Sequence, residues 1–331
     1  VDGHLGFDYE VPADLRNELA VHDHHADVMY DFWVKELDCV DCGATVPLFK
    51  DYRVAKGRYE NGDQYNVLCP ACESVVLVDD WQSESTCSEC HHEWTPKEGT
   101  VSGSKYACHE CGAQYGITDA IGEQGGFDLR LYAVEYYCPA CDDRGLERSA
   151  AKGYKTSETF DRALYDAAEQ EWTQREELWG YVPNEKIPKG HMTSERNPVF
   201  DHGYEDWVDF FNARQLLSLS RLLRAVEKVN EPNHREFLLL TFSDSLRTNS
   251  MLGSYQFTAN KSNHIFKTNS FDPPSRPCEG NPWGAKYGMG TFESIWQMVK
   301  NGVEYAPSPT ERYILDGETI ETEPFVQAIG E

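Results

Sequence analysis

Ten of the eleven cysteines in this 331-residue chain fall into five Cys-x-x-Cys pairs: Cys39/Cys42, Cys69/Cys72, Cys87/Cys90, Cys108/Cys111 and Cys138/Cys141. A Cys-x-x-Cys turn sets two sulfurs on one side of a tight knuckle, which is half of a tetrahedral zinc site, and two knuckles complete a four-thiolate site. A single pair also fits redox chemistry, but five pairs within about a hundred residues, joined by short polar segments, point to structural zinc. Disulfide frameworks belong to secreted chains, and no secretory apolar region is present. A thioredoxin-like site needs one pair at a strand-to-helix junction, not five in series. All ten cysteines are therefore candidate metal ligands.

The pairs must be combined. The short glycine-bearing loop between the third and fourth favours Cys87, Cys90, Cys108 and Cys111 around one zinc. Cys39/Cys42 with Cys69/Cys72 then makes a second site and leaves Cys138/Cys141 over. An alternative joins Cys69/Cys72 to Cys87/Cys90 and Cys108/Cys111 to Cys138/Cys141, leaving Cys39/Cys42. The spacing does not choose between them. With four thiolates on hand, His91, His92 and His109 are expected to be bystanders. His22-Asp23-His24-His25 invites a metal reading too, but a solvated acidic helix face explains it more simply.

The elements that position the pairs follow from local pattern. Tyr65–Leu68, the knuckle at Cys69, and Val75–Val78 read as strand, knuckle, strand, the layout of a zinc ribbon. Pro47-Leu48-Phe49 starts a strand, and Lys56–Asp63 is a hairpin loop with Asn61-Gly62 as its turn signal. Residues 1–37 read as a helical lead-in: Pro12–Ala20 as a short helix, and Asp27–Leu37 as a run apolar nearly all round that packs into a core. Leu129–Tyr137 is a strand entering the last pair. Ser157 caps a helix with Phe160, Leu164, Ala167 and Ala168 on one face. Asn212 opens the clearest helix, with Leu216, Leu219, Leu222, Leu223 and Val226 as its stripe, running to about Val229. Glu236–Leu252 and Thr291–Val303 are further helices, Pro273–Gly290 is a loop, and the C-terminal end is polar and strand-poor. Three regions result: a lead-in (1–37), a zinc-ribbon region (38–145) and a helical α/β segment (146–331).

The net charge of −26, from 56 acidic and 30 basic residues, argues by itself against phosphate-backbone binding. The acid is spread along the chain, however, as in halophilic proteins, where molar salt cuts the Debye length to roughly 3 Å and screens self-repulsion. Charge therefore says little about partners. Near the ribbons, Arg53, Lys56, Arg58 and Lys105 are candidate phosphate contacts. No apolar run is long enough to span a membrane. The cysteine usage fits a reducing cytoplasm. The chain begins at Val1 and so reads as a piece of a longer protein.

Tyr30-Asp31-Phe32-Trp33 before a Cys-x-x-Cys-Gly and Pro47-Leu48, then Phe211-Asn212-Ala213-Arg214-Gln215-Leu216-Leu217, then Asn281-Pro282-Trp283-Gly284 and Gly290-Thr291-Phe292, form a pattern over most of residues 28–305. It resembles the zinc-ribbon-containing adenine-specific DNA methylases of archaea and bacteria. That resemblance implies an α+β chain in which tandem zinc-ribbon hairpins are inserted into a Rossmann-like methyltransferase using S-adenosylmethionine. It implies DNA and the rest of the methyltransferase chain as partners, and methyl transfer to the exocyclic amine of adenine. The sequence departs from the family at the catalytic loop, which needs an aromatic ring to stack on the flipped base. Asp272-Pro273-Pro274-Ser275 offers no ring, and Asn281-Pro282-Trp283 lacks the second proline. No cofactor loop is evident, and Gly122-Glu123-Gln124-Gly125-Gly126 reads as a hairpin turn. The expectation is the non-catalytic middle of such a methylase, with catalytic and cofactor-binding residues unassigned. The alternative is a zinc-ribbon module that binds nucleic acid or protein without catalysis.

Overall fold

The computed structural model describes residues 26–57, 63–143, 151–195, 199–266 and 271–322. The helix expected at 12–20, the His22–His25 run, Arg58 and the Asn61-Gly62 turn lie outside them.

In chain order the named elements are strands β1 (Asp27–Asp38), β2 (Thr45–Pro47), β3 (Arg53–Lys56), β4 (Tyr65–Leu68), β5 (Val75–Val78), β6 (Ser85–Thr86), β7 (Glu93–Trp94), β8 (Val101–Ser102), β9 (Lys105–Ala107) and β10 (Gln114–Gly116). Helix α1 (Ile117–Gln124), strand β11 (Asp128–Tyr137), the helical turn α2 (Pro139–Asp143) and strand β12 (Lys152–Thr156) follow. Helices α3 (Thr159–Gln174), α4 (Ala213–Glu227) and α5 (Pro232–Leu246), strands β13 (Tyr255–Gln256), β14 (Lys261–Ser262) and β15 (Cys278–Gly280), helix α6 (Phe292–Tyr305), and strands β16 (Glu311–Leu315) and β17 (Glu318–Thr322) complete the order.

The molecule is a mixed α+β fold built on β1. This strand pairs with β11 from Asp27↔Tyr137 to Glu36↔Asp128, with β15 through Tyr30↔Gly280 to Phe32↔Cys278, and at its far end with β2. Strand β12 flanks β11. Among the described residues every strand pairing is antiparallel. The parallel sheet that a Rossmann-like domain requires is not seen among them. The helical reading of 27–37 is thus corrected to a strand. An apolar run all round fits a strand buried on both faces as well as a buried helix, and the aromatic and β-branched residues Val28, Tyr30, Phe32, Trp33 and Val34 favour the strand. Residues Met29–Lys35 are all buried.

Other boundaries shift for local reasons. The Gly122–Gly126 turn is the end of α1, with Gly125 in the left-handed region at φ 75 as its cap. Pro232 opens α5 at the first helical position, where its missing N–H is harmless, and the helix stops at Leu246. Helix α3 starts at Thr159, after Ser157, and the Asp161 carboxylate accepts the Glu158 N–H. The loop 273–290 contributes β15 to the sheet. The C-terminal end carries the β16–β17 hairpin, turning at Asp316-Gly317, both with positive φ. Helices open at Asn212 and Thr291 as expected; Asn212 caps α4 in a reciprocal capping box with Gln215, and Thr291 caps α6.

Candidate metal centres

The four knuckles between Cys39 and Cys111 share one backbone. The first cysteine's N–H donates to the carbonyl five residues on (Cys39 to Ala44, Cys69 to Ser74, Cys87 to His92, Cys108 to Ala113, at 2.8 to 2.9 Å). Its carbonyl accepts from the residue after the second cysteine. That residue has positive φ in every case: Gly43 at 74°, Glu73 at 59°, His91 at 61° and Gly112 at 75°. Glycine adopts this conformation freely, whereas Glu73 and His91 hold it at a steric cost.

Long-range pairing decides which knuckles meet. Beyond β2, Phe49 N–H donates to Thr100 Oγ1 at 3.0 Å, and Val101 N–H donates to the Phe49 carbonyl at 2.9 Å. A Cβ at Gly99 would overlap the Phe49 carbonyl oxygen, so this return needs glycine. It places the β8–β9–β10 sheet beside the end of β1 and makes residues 50–98 an excursion. The outer cluster is Cys39, Cys42, Cys108 and Cys111; the inner one, carried by β3–β4–β5 and β6–β7, is Cys69, Cys72, Cys87 and Cys90. One ribbon is nested in the other. The expected sites Cys87/Cys90 with Cys108/Cys111 and Cys39/Cys42 with Cys69/Cys72 are not formed. The alternative is half met, since Cys69/Cys72 does join Cys87/Cys90. The short loop between Cys90 and Cys108 misleads because the chain crosses Phe49 inside it.

In each group all four sulfurs lie within 4.8 Å of one another. The sulfur–sulfur distances are 3.6 Å for Cys39–Cys111 and Cys42–Cys108, and 3.7 Å for Cys69–Cys90 and Cys72–Cys87. Zinc–thiolate bonds of about 2.3 Å arranged tetrahedrally put sulfurs about 3.8 Å apart, so both cages fit that ion. The first cysteine of each knuckle is buried, which shields the cage from one side. The Ser74 hydroxyl and N–H pull the Cys72 thiol down to about 6, while burial pushes Cys69 up to about 12. The outer cage sits on its own core of Leu37, Val46, Leu48, Tyr106, Ala120 and Ile121. The α1 residue Gln124 clamps Asp38 just ahead of Cys39, donating to its carbonyl at 2.8 Å and accepting its N–H at 3.0 Å. His91, His92 and His109 are exposed and belong to neither cage.

Cys138 and Cys141 are not gathered with the other pairs; both are buried at the start of α2. The eleventh cysteine, Cys278, is buried in β15, where burial and then the Glu135 charge hold its thiol well above the usual range.

The motif residues turn out to be structural. Asn281 Oδ1 accepts the N–H groups of Trp283 and Gly284, each at 3.2 Å, and its amide donates to the Val28 carbonyl at 3.1 Å. Trp283 stacks on Phe292 at 5.7 Å and 20°. Ser275 accepts the Lys35 N–H, so the Asp272–Ser275 stretch leads into the sheet edge. Arg53 pairs with Asp51 at 3.0 Å and lies 3.6 Å over the Trp81 ring, which withdraws it from phosphate contact. Lys105 is exposed.

Two buried polar features escaped the sequence reading. Arg214 on α4 donates to both Glu279 oxygens, at 2.8 and 2.7 Å, and to Asp31, while Trp33 Nε1 donates to Glu279 at 2.8 Å. Burial, reinforced by the Glu279 charge and opposed by Arg214, pushes Asp31 up to about 7. Lys35 on β1 is 2 % exposed, and its Nζ has no hydrogen-bond partner. That nitrogen lies 4.0 Å from the centre of the Phe127 ring and 5.0 Å from that of Tyr204, and burial pulls its pKa down to about 7. Arg214 lies in the 211–217 stretch, but its partners are far away in sequence.

Comparison with family models, with curated proteins and with solved structures finds no match for this chain. Among the described residues no helix is long and apolar enough to cross a membrane.

Proposed function

We propose that this chain is a zinc-stapled scaffold: two nested ribbons, each closed by one structural zinc held by four thiolates, mounted on the end of a central antiparallel sheet. The observation that carries this reading is the pair of four-sulfur cages with edges of 3.6 to 3.7 Å. Bound zinc would supply crosslinking and charge compensation. The strands around the cages are two to four residues long and cannot hold themselves together in water, so the metal would provide much of their folding free energy.

We further propose that the scaffold belongs to an S-adenosylmethionine-dependent methyltransferase acting on adenine N6 in DNA, and that this chain supplies no catalytic loop. The resemblance of residues 28–305 supports the first part. For the second, a catalytic asparagine must accept hydrogens from the base amine, whereas the Asn281 oxygen is already used by two backbone N–H groups and its neighbour Trp283 is stacked on Phe292. Calorimetry of the purified chain with S-adenosylmethionine in high salt, alongside metal analysis, tests both parts. Two zinc per chain without cofactor binding is the expected result. Clear cofactor binding would put an active site on this chain and overturn the assignment of residues 272–284 as structural.

A further inference from the structure

Helices α5 and α6 are joined at one end and open at the other. Thr248, just past α5, donates to the Gly290 carbonyl just ahead of α6 at 2.9 Å, and Asn249 donates to the same oxygen at 3.1 Å. At this joint Phe242 and Phe292 share a buried cluster with Leu219, Leu222 and Val226 of α4. The chain enters the joint along α5 and leaves it along α6, and the two helices pack against each other. The halves remote from the joint, the start of α5 and the end of α6, therefore lie side by side.

Those halves keep apolar residues in water. The stripe of α6 runs through Phe292, Ile295, Trp296, Val299 and Val303, the helical spacing of a buried face. Phe292 and Ile295 are buried, Trp296 and Val299 half-buried, and Val303 exposed. Helix α5 carries four consecutive apolar residues at 237–240, of which only Leu238 packs on the cluster at the joint. Beyond α6, Thr310 N–H donates to the Tyr305 hydroxyl at 2.9 Å and ties down a β16–β17 hairpin whose Ile314 is exposed. A two-stranded hairpin is marginal in water unless something packs on it. Of the fourteen large apolar side chains exposed among the described residues, nine fall in the stretches 237–240 and 298–315. Single scattered exposures are ordinary, but a concentration of this kind marks an interaction surface.

Area and charge choose the occupant. At roughly 150 to 250 Å² for a fully exposed large side chain, exposures of 37 to 76 % over the nine residues leave roughly 700 to 1,100 Å² uncovered, against the about 800 Å² that each partner gives to a stable interface. The chain has 56 acids to 30 bases, yet residues 232–240 carry one of each, Arg235 and Glu236, and residues 296–305 carry Lys300 and Glu304. Among the described residues none of these four is in an ion pair. Two copies of so acidic a chain repel each other over most of their surface and least here. A two-fold contact, in which the same patch serves both copies, lets the bases of each meet the acids of the other.

We propose that this face is where two copies of the chain associate about a two-fold axis, with the remote halves of α5 and α6 at the centre and the β16–β17 hairpin at the rim. The metal cages lie on other elements, so the contact stands apart from the zinc reading.

Sedimentation equilibrium of the purified chain in high salt, over a micromolar dilution series, should give twice the 37.7 kDa of one chain. Leu240→Asp/Met298→Asp sets two carboxylates in the contact and should raise the dissociation constant by about 100-fold or more. Both side chains are exposed, so circular dichroism should not change. Leu77→Asp, at a similarly exposed apolar residue on β5, should leave the dimer intact. Hydrogen exchange on the unsubstituted chain needs no variant to fold: amides in 237–240 and 298–305 should gain protection as concentration rises, and those in 75–78 should not. A chain that stays at the mass of one copy, as it would if residues outside the described ones covered the face, would overturn the proposal. So would a Leu240→Asp/Met298→Asp dimer as tight as the parent, or protection at 237–240 and 298–305 that ignores concentration.

Discussion

Lys35 should make the stability of this fold depend on pH in a way one substitution removes. Its amine is buried between the Phe127 and Tyr204 rings without a hydrogen-bond partner, and its pKa falls from 10.5 to about 7. The folded state therefore binds this proton less tightly than the unfolded chain. Between pH 7 and pH 10.5 the unfolded chain carries the proton and the folded chain does not, so stability rises with pH by up to about 1.4 kcal/mol per unit. The full shift amounts to about 5 kcal/mol, because one pKa unit is about 1.4 kcal/mol. A ring-face contact gives back about 1 to 2 kcal/mol to the charged form, which sets a working range of about 3 to 5 kcal/mol. Lys35→Met keeps the length and apolar stem of the side chain. Urea unfolding of both proteins at pH 7 and pH 10, in the same high salt and with zinc loaded, should show the variant more stable by about 3 to 5 kcal/mol at pH 7, with the gap mostly closed at pH 10. His202 gives a second readout. Burial and then the Lys35 charge hold its pKa down, opposed by Asp201 and Asp272, so its imidazole resonances should titrate at higher pH in the variant. A stability difference of equal size at both pH values, or a variant less stable at pH 7, would refute the reasoning.

Removing Arg214 leaves Asp31 and Glu279 buried without their cation, so Arg214→Leu should cost about 3 to 5 kcal/mol in denaturant unfolding. Because burial already pushes Asp31 up to about 7, its contribution to stability is greatest in acid and is lost as pH rises from about 4 to 7; that loss should extend to higher pH in the variant, read from the same unfolding series. Glu73→Gly and His91→Gly relieve the positive φ of the inner cage and should each raise its resistance to chelator by about 1 kcal/mol, measured by zinc release to a colorimetric indicator. Gly99→Ala collides with Phe49 and should release zinc from the outer cage first, since the return at Val101 is what brings Cys108 and Cys111 to β1.

How much of this was legible in the sequence varied with the range of the interaction. The knuckles follow from local chemistry: two sulfurs, a tight turn, and a residue able to take positive φ. The helix starts at Asn212 and Thr291 are likewise short-range and readable. The Asp316-Gly317 turn is equally local, although the polar composition around it reads as strand-poor. Asp27–Leu37 was ambiguous, because a segment buried on both faces loses the period that separates strand from helix. The joining of knuckles was not legible, since it depends on Phe49 meeting Val101 across an excursion that contains the other cage. Arg214 was equally hidden: its partners Glu279 and Asp31 stand 65 and 183 residues away.

The nested pairing can be tested by counting zinc in two single variants and their double. Metal analysis of Cys90→Ser, Cys111→Ser and Cys90→Ser/Cys111→Ser reads directly which knuckles share an ion. Nested ribbons predict two zinc in the parent, one in each single variant and none in the double. One zinc remaining in the double variant would mean that Cys90 and Cys111 belong to the same site, as the sequential pairing requires, and no zinc in the parent would contradict the metal reading altogether.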